Sequence, residues 1–409
     1  MSRLSWESFA ALPRQLSSDQ RRAASIAAVT HALHDGYTDL IYIMLPLWQA
    51  EFGLDYASLG VLRSVFVGAM AGLQIPVGMV SERVGAAVVL ALGTALAGLG
   101  YVLAGASAGF TMLLIALFVG GLGASAQHPV ASALVARAFS GPRSLTALGT
   151  YNFAGDLGKM TLPATLSLML LVMAWRPALA TLGCLGFVLA VVIFVVTPRF
   201  GRESAAERRP GAEAVSDTQP QPLAFPLLVS IGVIDSATRM GFLLFLPFVL
   251  KDKGASVQTV GLALTLIFAG GAAGKLACTF IGARIGAIGT VWLTEGLTAA
   301  GILALAPLPL AGALVLLPII GVALNGTSSV LYGSVPALVS AGRRTRALSI
   351  FYTGTIGSGA IAPTLYGLVG DRFGVWKALM LVAVMVLLTL PLSALLRPSL
   401  PRGYGSPVA

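Results

Sequence analysis

Charged residues are scarce in this chain of 409 residues, of which 10% are Asp, Glu, Lys or Arg and 56% are hydrophobic. An ordinary soluble domain carries about 25% charged residues, so this chain has too few charges to cover a water-exposed surface. The mean hydropathy of +0.88 agrees with that imbalance. The composition therefore excludes an ordinary soluble protein and predicts a membrane protein with several spanning segments.

Cysteine and histidine are also rare, and both occur only within apolar stretches. The two cysteines, Cys184 and Cys278, are too few for a disulfide framework or a thiolate metal cluster. The chain also lacks the nucleotide-binding pattern G-x-x-x-x-G-K-[ST] and the metal-binding pattern H-E-x-x-H. We therefore expect no enzymatic activity, no bound metal and no cofactor.

Apolar runs long enough to cross a membrane as helices occur twelve times in the sequence. The long polar stretch at 198–222 divides them into two sets of six. The predicted fold is an all-α polytopic membrane protein with twelve transmembrane helices in two six-helix bundles. Its expected parts are an N-terminal segment at 1–22 without a cleavable signal peptide, bundles at 23–197 and 223–396, a linker at 198–222 and a tail at 397–409.

Basic residues are distributed unevenly along the chain, which has a net charge of +10. Of the 26 Lys and Arg residues, 17 lie on the side shared by the two termini and the linker, and five lie on the opposite side. Because cytoplasmic segments are enriched in Lys and Arg, we expect these three segments to be cytoplasmic. The predicted location is a bacterial-type inner membrane, and the positive charge reports membrane topology rather than nucleic-acid binding.

The two halves of the chain resemble each other. The segment 147–163 matches 347–363 at a shift of 200 residues, and the segment 83–85 matches 284–286 at a shift of 201. Two repeats in parallel, with a solute site between them near the middle of the membrane, are typical of secondary transporters.

Two glycine patterns predict close helix packing, since small residues allow helices to approach each other in lipid. The first is Gly68-x-x-x-Gly72 and the second is Gly270-x-x-x-Gly274. Both patterns concern packing and carry no chemistry.

The loop after the second apolar run reads G-M-V-S-E-R-V-G at 78–85. It resembles the G-x-x-x-D-R-x-G signature of the major facilitator superfamily, although Glu82 stands where Asp is usual. The resemblance implies two six-helix bundles around a central solute site. It also implies that Gly78, Glu82 and Arg83 take part in gating on the cytoplasmic side.

Within that superfamily the chain is most similar to the fosmidomycin-resistance type of drug exporter. The similarity rests on T-H-A-L-H-D at 30–35, H-P at 128–129 and G-D-L-G-x-x-x-x-P at 155–163. Asp156 and Lys159 depart from the G-N-x-G of that group. The resemblance implies efflux of a drug-like solute in exchange for protons.

The first apolar run carries a polar stripe along one helical face. Within the stripe lie His31, His34, Asp35 and Asp39. Ionisable residues are costly inside a membrane, so we expect these four to exchange protons during transport. The alternative is that Asp35 or Asp39 only forms a structural ion pair, with Arg63 as the expected base.

Polar residues in the other runs are predicted to contact the solute. Asp156 and Lys159 are three residues apart, and Asp235 and Arg239 are four apart, so each pair is also able to neutralise itself within one helix. The predicted solute-binding residues are Arg63, Gln127, His128, Asn152, Asp156, Lys159, Asp235, Arg239 and Asn325.

These patterns together predict a proton-coupled secondary transporter of a small organic solute, acting as a monomer in the lipid bilayer. Basic residues within the runs favour an anionic solute. Lys275 is expected either to snorkel toward the membrane surface or to pair with Glu295. Efflux by proton antiport is favoured by the family resemblance. The alternatives are a proton-coupled importer of an organic metabolite and, in a different class, a membrane receptor that does not transport.

Overall fold

The structure is a computed structural model that describes residues 16–139, 142–198, 223–340 and 343–400. These residues form helices and connections and include no β-strand, which confirms the all-α prediction. Most of the predicted N-terminal segment, linker and tail lie outside the described residues. The helices are α1 Ser18–Phe52, α2 Tyr56–Val84, α3 Ala86–Gly105, α4 Phe110–Ala138, α5 Pro142–Met169, α6 Trp175–Val196, α7 Ala224–Asp252, α8 at 257–285 and α9 at 287–304 within the run Val257–Ala304, α10 Leu310–Ala337, α11 Arg344–Phe373 and α12 Val375–Ser399.

Among the described residues, nine helices are long and apolar enough to cross a membrane. The three long helices outside that set are α1, α5 and α11, which carry many of the polar side chains described below. Helix α1 begins at Ser18 rather than at the expected residue 23. The cause is a capping box, in which Ser17 and Gln20 each bond the backbone N–H of the other.

The sequence repeat appears again in the junctions between helices. Gly85 and Gly286 have φ angles of 105° and 82° at the α2–α3 and α8–α9 junctions. Gly53 and Gly254, also 201 residues apart, have φ angles of 64° and 88°. Positive φ values favour glycine, so both halves turn the chain at equivalent places with equivalent residues.

The predicted glycine contacts are confirmed in one half and wrong in the other. Gly270 and Gly274 of α8 lie directly against the backbone of α10. Gly68 and Gly72 of α2 have no neighbour within 4 Å in the direction of a side chain. Helix α2 instead approaches α4 at Gly121, where the glycine is on the partner helix.

Gly158 sets the distance between α5 and α1. A Cβ atom at this position would overlap the backbone carbonyl of Ala32. We expect Gly158→Ala to lower stability by about 1–3 kcal/mol, the usual cost of overpacking a well-packed contact. Thermal unfolding in detergent measures the effect.

Gly149→Ala is the matched control on the same helix, because Gly149 has no neighbour within 4 Å. It is expected to leave stability unchanged or to raise it by up to about 1 kcal/mol, the helix-propensity difference between Gly and Ala. Equal unfolding temperatures for the two variants would contradict this account of α1–α5 packing.

The two halves of the chain touch at the end of the molecule where α1 ends and α2 begins, called the contact end here. Asp371 of α11 accepts hydrogen bonds from the backbone N–H groups of Tyr56 and Ala57, at 2.7 and 2.9 Å. Gly60 of α2 lies against the backbone of Pro363. Gly261 of α8 lies against the side chain of Ser167 of α5. These contacts close the contact end between α2 and α11 and between α5 and α8.

Candidate functional site

A cavity of about 460 Å³ lies between the two halves, beyond the contact end. It is lined by helices from both halves, and the lining includes charged side chains from α1, α2, α5, α7 and α8. The predicted site residues among its lining are His31, Asp35, Asp39, Arg63, His128, Asn152, Asp156, Lys159, Asp235, Arg239 and Asn325. The structure therefore brings together most of the residues that the sequence identified.

Asp35 of α1 is the centre of the first charged cluster. Its carboxylate lies 3.4 Å from His31 Nε2, 3.3 Å from Lys159 Nζ and 4.0 Å from His128 Nε2. His128 follows Gln127 in a π-helical turn that interrupts α4, and such turns are frequent at functional sites. Three helices thus present cationic or protonatable groups to one carboxylate.

His31 is held in a fixed orientation. Its Nδ1 lies 2.8 Å from the carbonyl oxygen of Tyr151 and its ring stacks on the Tyr151 ring at 4.0 Å. Because a carbonyl only accepts, Nδ1 carries the proton and Nε2 faces Asp35. A proton at Nε2 would turn this contact into a charge-assisted hydrogen bond.

Gly155 allows this arrangement, and its role was not predicted. A Cβ atom there would lie 2.7 Å from Asp35 Oδ2 and 2.8 Å from the His31 ring. The G-D-L-G motif on α5 was a usable signal, because a glycine facing α1 leaves room for both side chains.

The ligating atoms of His31, Asp35 and His128 lie within 4.8 Å of one another, and these residue types also bind transition metals. The ammonium group of Lys159 already neutralises the Asp35 carboxylate. A dication at this point would be repelled by that ammonium group. The cluster is therefore poorly suited to holding a metal ion.

Asp156 of α5 joins the two halves electrostatically. Its carboxylate oxygens accept hydrogen bonds of 2.5 and 2.8 Å from Lys275 Nζ of α8. Lys159, the expected partner, is 3.9 Å away and closer to Asp35. The prediction that Lys275 pairs with Glu295 is wrong, because α8 directs Lys275 across the cavity toward α5.

Asp39 and Arg63 form the pair that the sequence offered as a structural alternative. Arg63 Nη2 lies 3.5 Å from Asp39 Oδ1, and the guanidinium stacks on Tyr42 at 4.9 Å. Only 2% of Arg63 is exposed. Its Nε and Nη1 atoms have no hydrogen-bond partner among the described residues. Arg63 is therefore a buried cation that depends chiefly on one carboxylate.

On the opposite wall, Asp235 of α7 accepts a 2.7 Å hydrogen bond from Arg239, one turn along the same helix. The hydrogen bond confirms that these two residues pair, as their spacing of four residues predicts. Asn325 of α10 also lines the cavity and donates to the Gly321 carbonyl at 3.2 Å. The second half thus contributes one ion pair and one amide to the cavity wall.

Some predicted site residues lie outside this cavity. His34 contacts Thr94 Oγ1 at 3.0 Å within the packing of α1 and α3, and Gln127 is buried behind His128. The predicted gating residues occupy the last two turns of α2, far from the contact end. They are Gly78, Glu82 and Arg83.

Comparisons with known proteins agree with this architecture. The family model described as Major Facilitator Superfamily matches residues 27–232 and 228–408. The fosmidomycin resistance protein of Escherichia coli is 26% identical over 88% of this chain and 89% of its own length. The probable sulfoacetate transporter of Cupriavidus necator is 25% identical over 82% of this chain and 83% of its own length.

A probable L-galactonate transporter of Escherichia coli is 30% identical over 35% of this chain, and the match spans 32% of that relative. Among solved structures, a bacterial homologue of the lysosomal transporter Spinster, in an inward-facing and occupied conformation, superposes with a TM-score of 0.77 at 15% identity. That match covers 96% of this chain and 100% of the other. The family match extends over nearly the whole sequence, so the chain belongs to the major facilitator superfamily and is a transporter of small solutes rather than an enzyme.

Proposed function

We propose that this protein is a proton-coupled secondary active transporter that moves a small organic anion by alternating access. The observation that carries the proposal is the cavity between the halves, where each of four carboxylates faces a basic side chain. Protonating such a carboxylate releases its base, and a free base is able to bind an anion. Proton binding and solute binding are therefore linked by the same ion pairs.

The proposed topology has twelve transmembrane helices in two six-helix bundles, with α1, α5 and α11 completing the set. Both termini and the linker lie on the cytoplasmic side of a bacterial-type inner membrane, as the distribution of Lys and Arg indicates. The contact end is then the outer end, and the described state is closed to the outside. The cavity is complete within one chain, which supports a monomeric transporter.

The proposed solute carries a carboxylate, sulfonate or phosphonate group. The cavity wall holds Lys159, Arg239 and Lys275, whose side chains are 29%, 21% and 35% exposed and thus within reach of a solute. The names of the three relatives concern fosmidomycin, L-galactonate and sulfoacetate, which are all organic anions. Asn152 and Asn325 add neutral hydrogen-bonding groups to the same wall.

Protons are proposed to bind at Asp35, with His31 and His128 as neighbouring acceptors, and also at Asp39. His34 contacts Thr94 rather than the cavity and is not part of this proposal. When the outer end opens, residues Gly78, Glu82 and Arg83 are proposed to help close the cytoplasmic end.

Efflux by proton antiport is the proposed direction, supported by the similarity to the fosmidomycin resistance protein over most of its length. The second candidate is proton symport of an organic anion, which is favoured by the ion pairs themselves. In symport, protonating an acid frees a base for the anion, so that both ligands are bound at once. The sign of the pH-gradient response separates the two modes.

The test uses purified protein in liposomes with radiolabelled fosmidomycin, L-galactonate or sulfoacetate. Each coupled proton supplies about tenfold accumulation per pH unit of gradient. An acidic interior drives uptake by antiport, and an alkaline interior drives uptake by symport. Wild-type protein that exchanges solute without any response to a pH gradient would show that protons are not coupled.

Asp35→Asn is expected to retain solute exchange and to lose the pH-driven accumulation, because the amide cannot release a proton. Exchange and gradient-driven uptake are measured in the same liposomes. Glu51→Gln is the matched control, since Glu51 is bound to Arg176 and Trp175 at the contact end, outside the cavity. If Asp35→Asn accumulates solute like the control, the proton-coupling role of Asp35 is wrong.

A further inference from the structure

Glu295 is a buried acid that the proposed transport cycle does not yet use. It lies on α9 with 2% of its surface exposed, and its Oε1 has no hydrogen-bond partner among the described residues. It does not line the cavity. A glutamate at such a position is expensive in a membrane protein, and expensive intramembrane acids are usually functional.

The carboxyl group of Glu295 lies beside that of Asp235 on α7, close enough for the two to interact directly. Asp235 is itself 3% exposed and accepts the hydrogen bond from Arg239. An ionised carboxylate only accepts hydrogen bonds. A hydrogen bond between two carboxyl groups therefore requires a proton on one of them.

The charges around the pair lead to the same conclusion. One guanidinium, Arg239, faces two carboxyl groups, and the other groups that interact with them are the hydroxyls of Thr327 and Tyr332 from α10. Lys159, Lys275 and Asp39 also act on Arg239 from the other half, but they are ion-paired with Asp35, Asp156 and Arg63. Two ionised carboxylates beside one cation would leave an uncompensated buried charge.

We propose that Asp235 and Glu295 form a second proton-binding site, in which one proton is shared while Arg239 is bound to Asp235. Arg239 lines the cavity, so an anionic solute is able to take its guanidinium away from Asp235. The carboxyl pair then has no cation and takes up a second proton. This inference rests on proton symport, the second candidate for the proposed function, because solute binding and proton binding favour each other at this site.

The arrangement differs from a structural lock. A lock needs one acid for one base, which Asp235 and Arg239 already provide. A protonated Glu295 is uncharged and adds nothing to that ion pair. It does place a second titratable group next to Asp235 in the cavity wall. Its carboxyl is able to share a proton with Asp235 without contacting the solute itself.

Infrared difference spectroscopy on wild-type protein and Glu295→Gln tests the shared proton directly. At neutral pH the wild type is expected to show the C=O absorption of a buried protonated carboxyl group, and Glu295→Gln is expected to lack it. Adding sulfoacetate or L-galactonate should raise a second carboxyl signal in the wild type and not in Asp235→Asn. Glu51→Gln, the exposed control at the contact end, should leave the first signal intact.

Transport provides a second, separate measurement. Glu295→Gln is expected to exchange solute but to lose about tenfold accumulation per pH unit, the contribution of one coupled proton, whereas Glu295→Asp should restore part of it. A first carboxyl signal that persists in Glu295→Gln, or full pH-driven accumulation by that variant, overturns the inference. Wild-type protein without pH-driven accumulation would instead refute the proposed function, while the first infrared signal still decides whether the pair holds a proton.

Discussion

Replacing Asp156 by asparagine is expected to lower the rate of solute uptake at least about 100-fold, an effect of about 3 kcal/mol, since it removes a carboxylate that is only 11% exposed from its ion pair. Asp156 binds Lys275 of the other half at 2.5 and 2.8 Å and also lies 3.9 Å from Lys159. The substitution leaves two ammonium groups near each other without their shared carboxylate. Their repulsion acts across the boundary at which the halves must move.

The measurement is uptake of radiolabelled solute into proteoliposomes, together with thermal unfolding of the same preparations. The double variant Asp156→Asn with Lys275→Met is expected to recover stability, because the repulsion between the two ammonium groups is removed, while transport stays low. Arg176→Gln is the control, since Arg176 pairs with Glu51 at the contact end and both side chains are more than a third exposed. Uptake by Asp156→Asn at a rate near that of Arg176→Gln would contradict this role.

The fold was largely predictable, because the membrane imposes simple rules on sequence. Hydropathy and the central polar stretch indicate the helices and the division into halves. The repeat at a shift of about 200 residues reappears in glycines with positive φ at equivalent junctions. The capping box of Ser17 and Gln20, which begins α1 before its apolar run, was also recognisable in the sequence. Hydropathy alone does not reveal it, because it lies in a polar segment.

Which residues line the cavity was also largely predictable from the sequence. Ionisable residues inside apolar runs are rare, and the structure gathers most of them at one cavity. Helical spacing also correctly pairs Asp235 with Arg239, which share one helix. Composition and spacing therefore identify which residues meet the cavity when the cost of burying a charge is the dominant effect.

Most partners across helices were not predictable, although Asp39 does pair with Arg63 as the sequence offered. Lys275 binds Asp156 and not Glu295, and Lys159 lies closer to Asp35 than to Asp156. Helical periodicity fixes the angle between residues on one helix but not the rotation of that helix relative to its neighbours. For the same reason His34 lies on the predicted stripe of α1, yet that edge of the stripe packs on α3.

Breaking the ion pair between Asp39 and Arg63 is expected to have the other large effect, a loss of stability. Asp39→Asn removes the carboxylate that the buried Arg63 contacts, and Arg63→Met removes the guanidinium that the buried Asp39 contacts. We expect each single variant to lose about 3–5 kcal/mol of unfolding free energy, the usual cost of leaving one buried charge unpaired. The double variant removes both charges and is expected to be more stable than either single variant.

A double-mutant cycle by equilibrium unfolding in detergent measures this coupling, and additive losses in the double variant would show that the two side chains do not support each other. Transport measurements on the same variants distinguish a structural role of Asp39 from a role in proton coupling. If Asp39 only balances Arg63, the double variant regains pH-driven accumulation along with its stability. If Asp39 also carries a coupled proton, the double variant folds and exchanges solute but accumulates less of it, since an amide and a thioether cannot bind that proton.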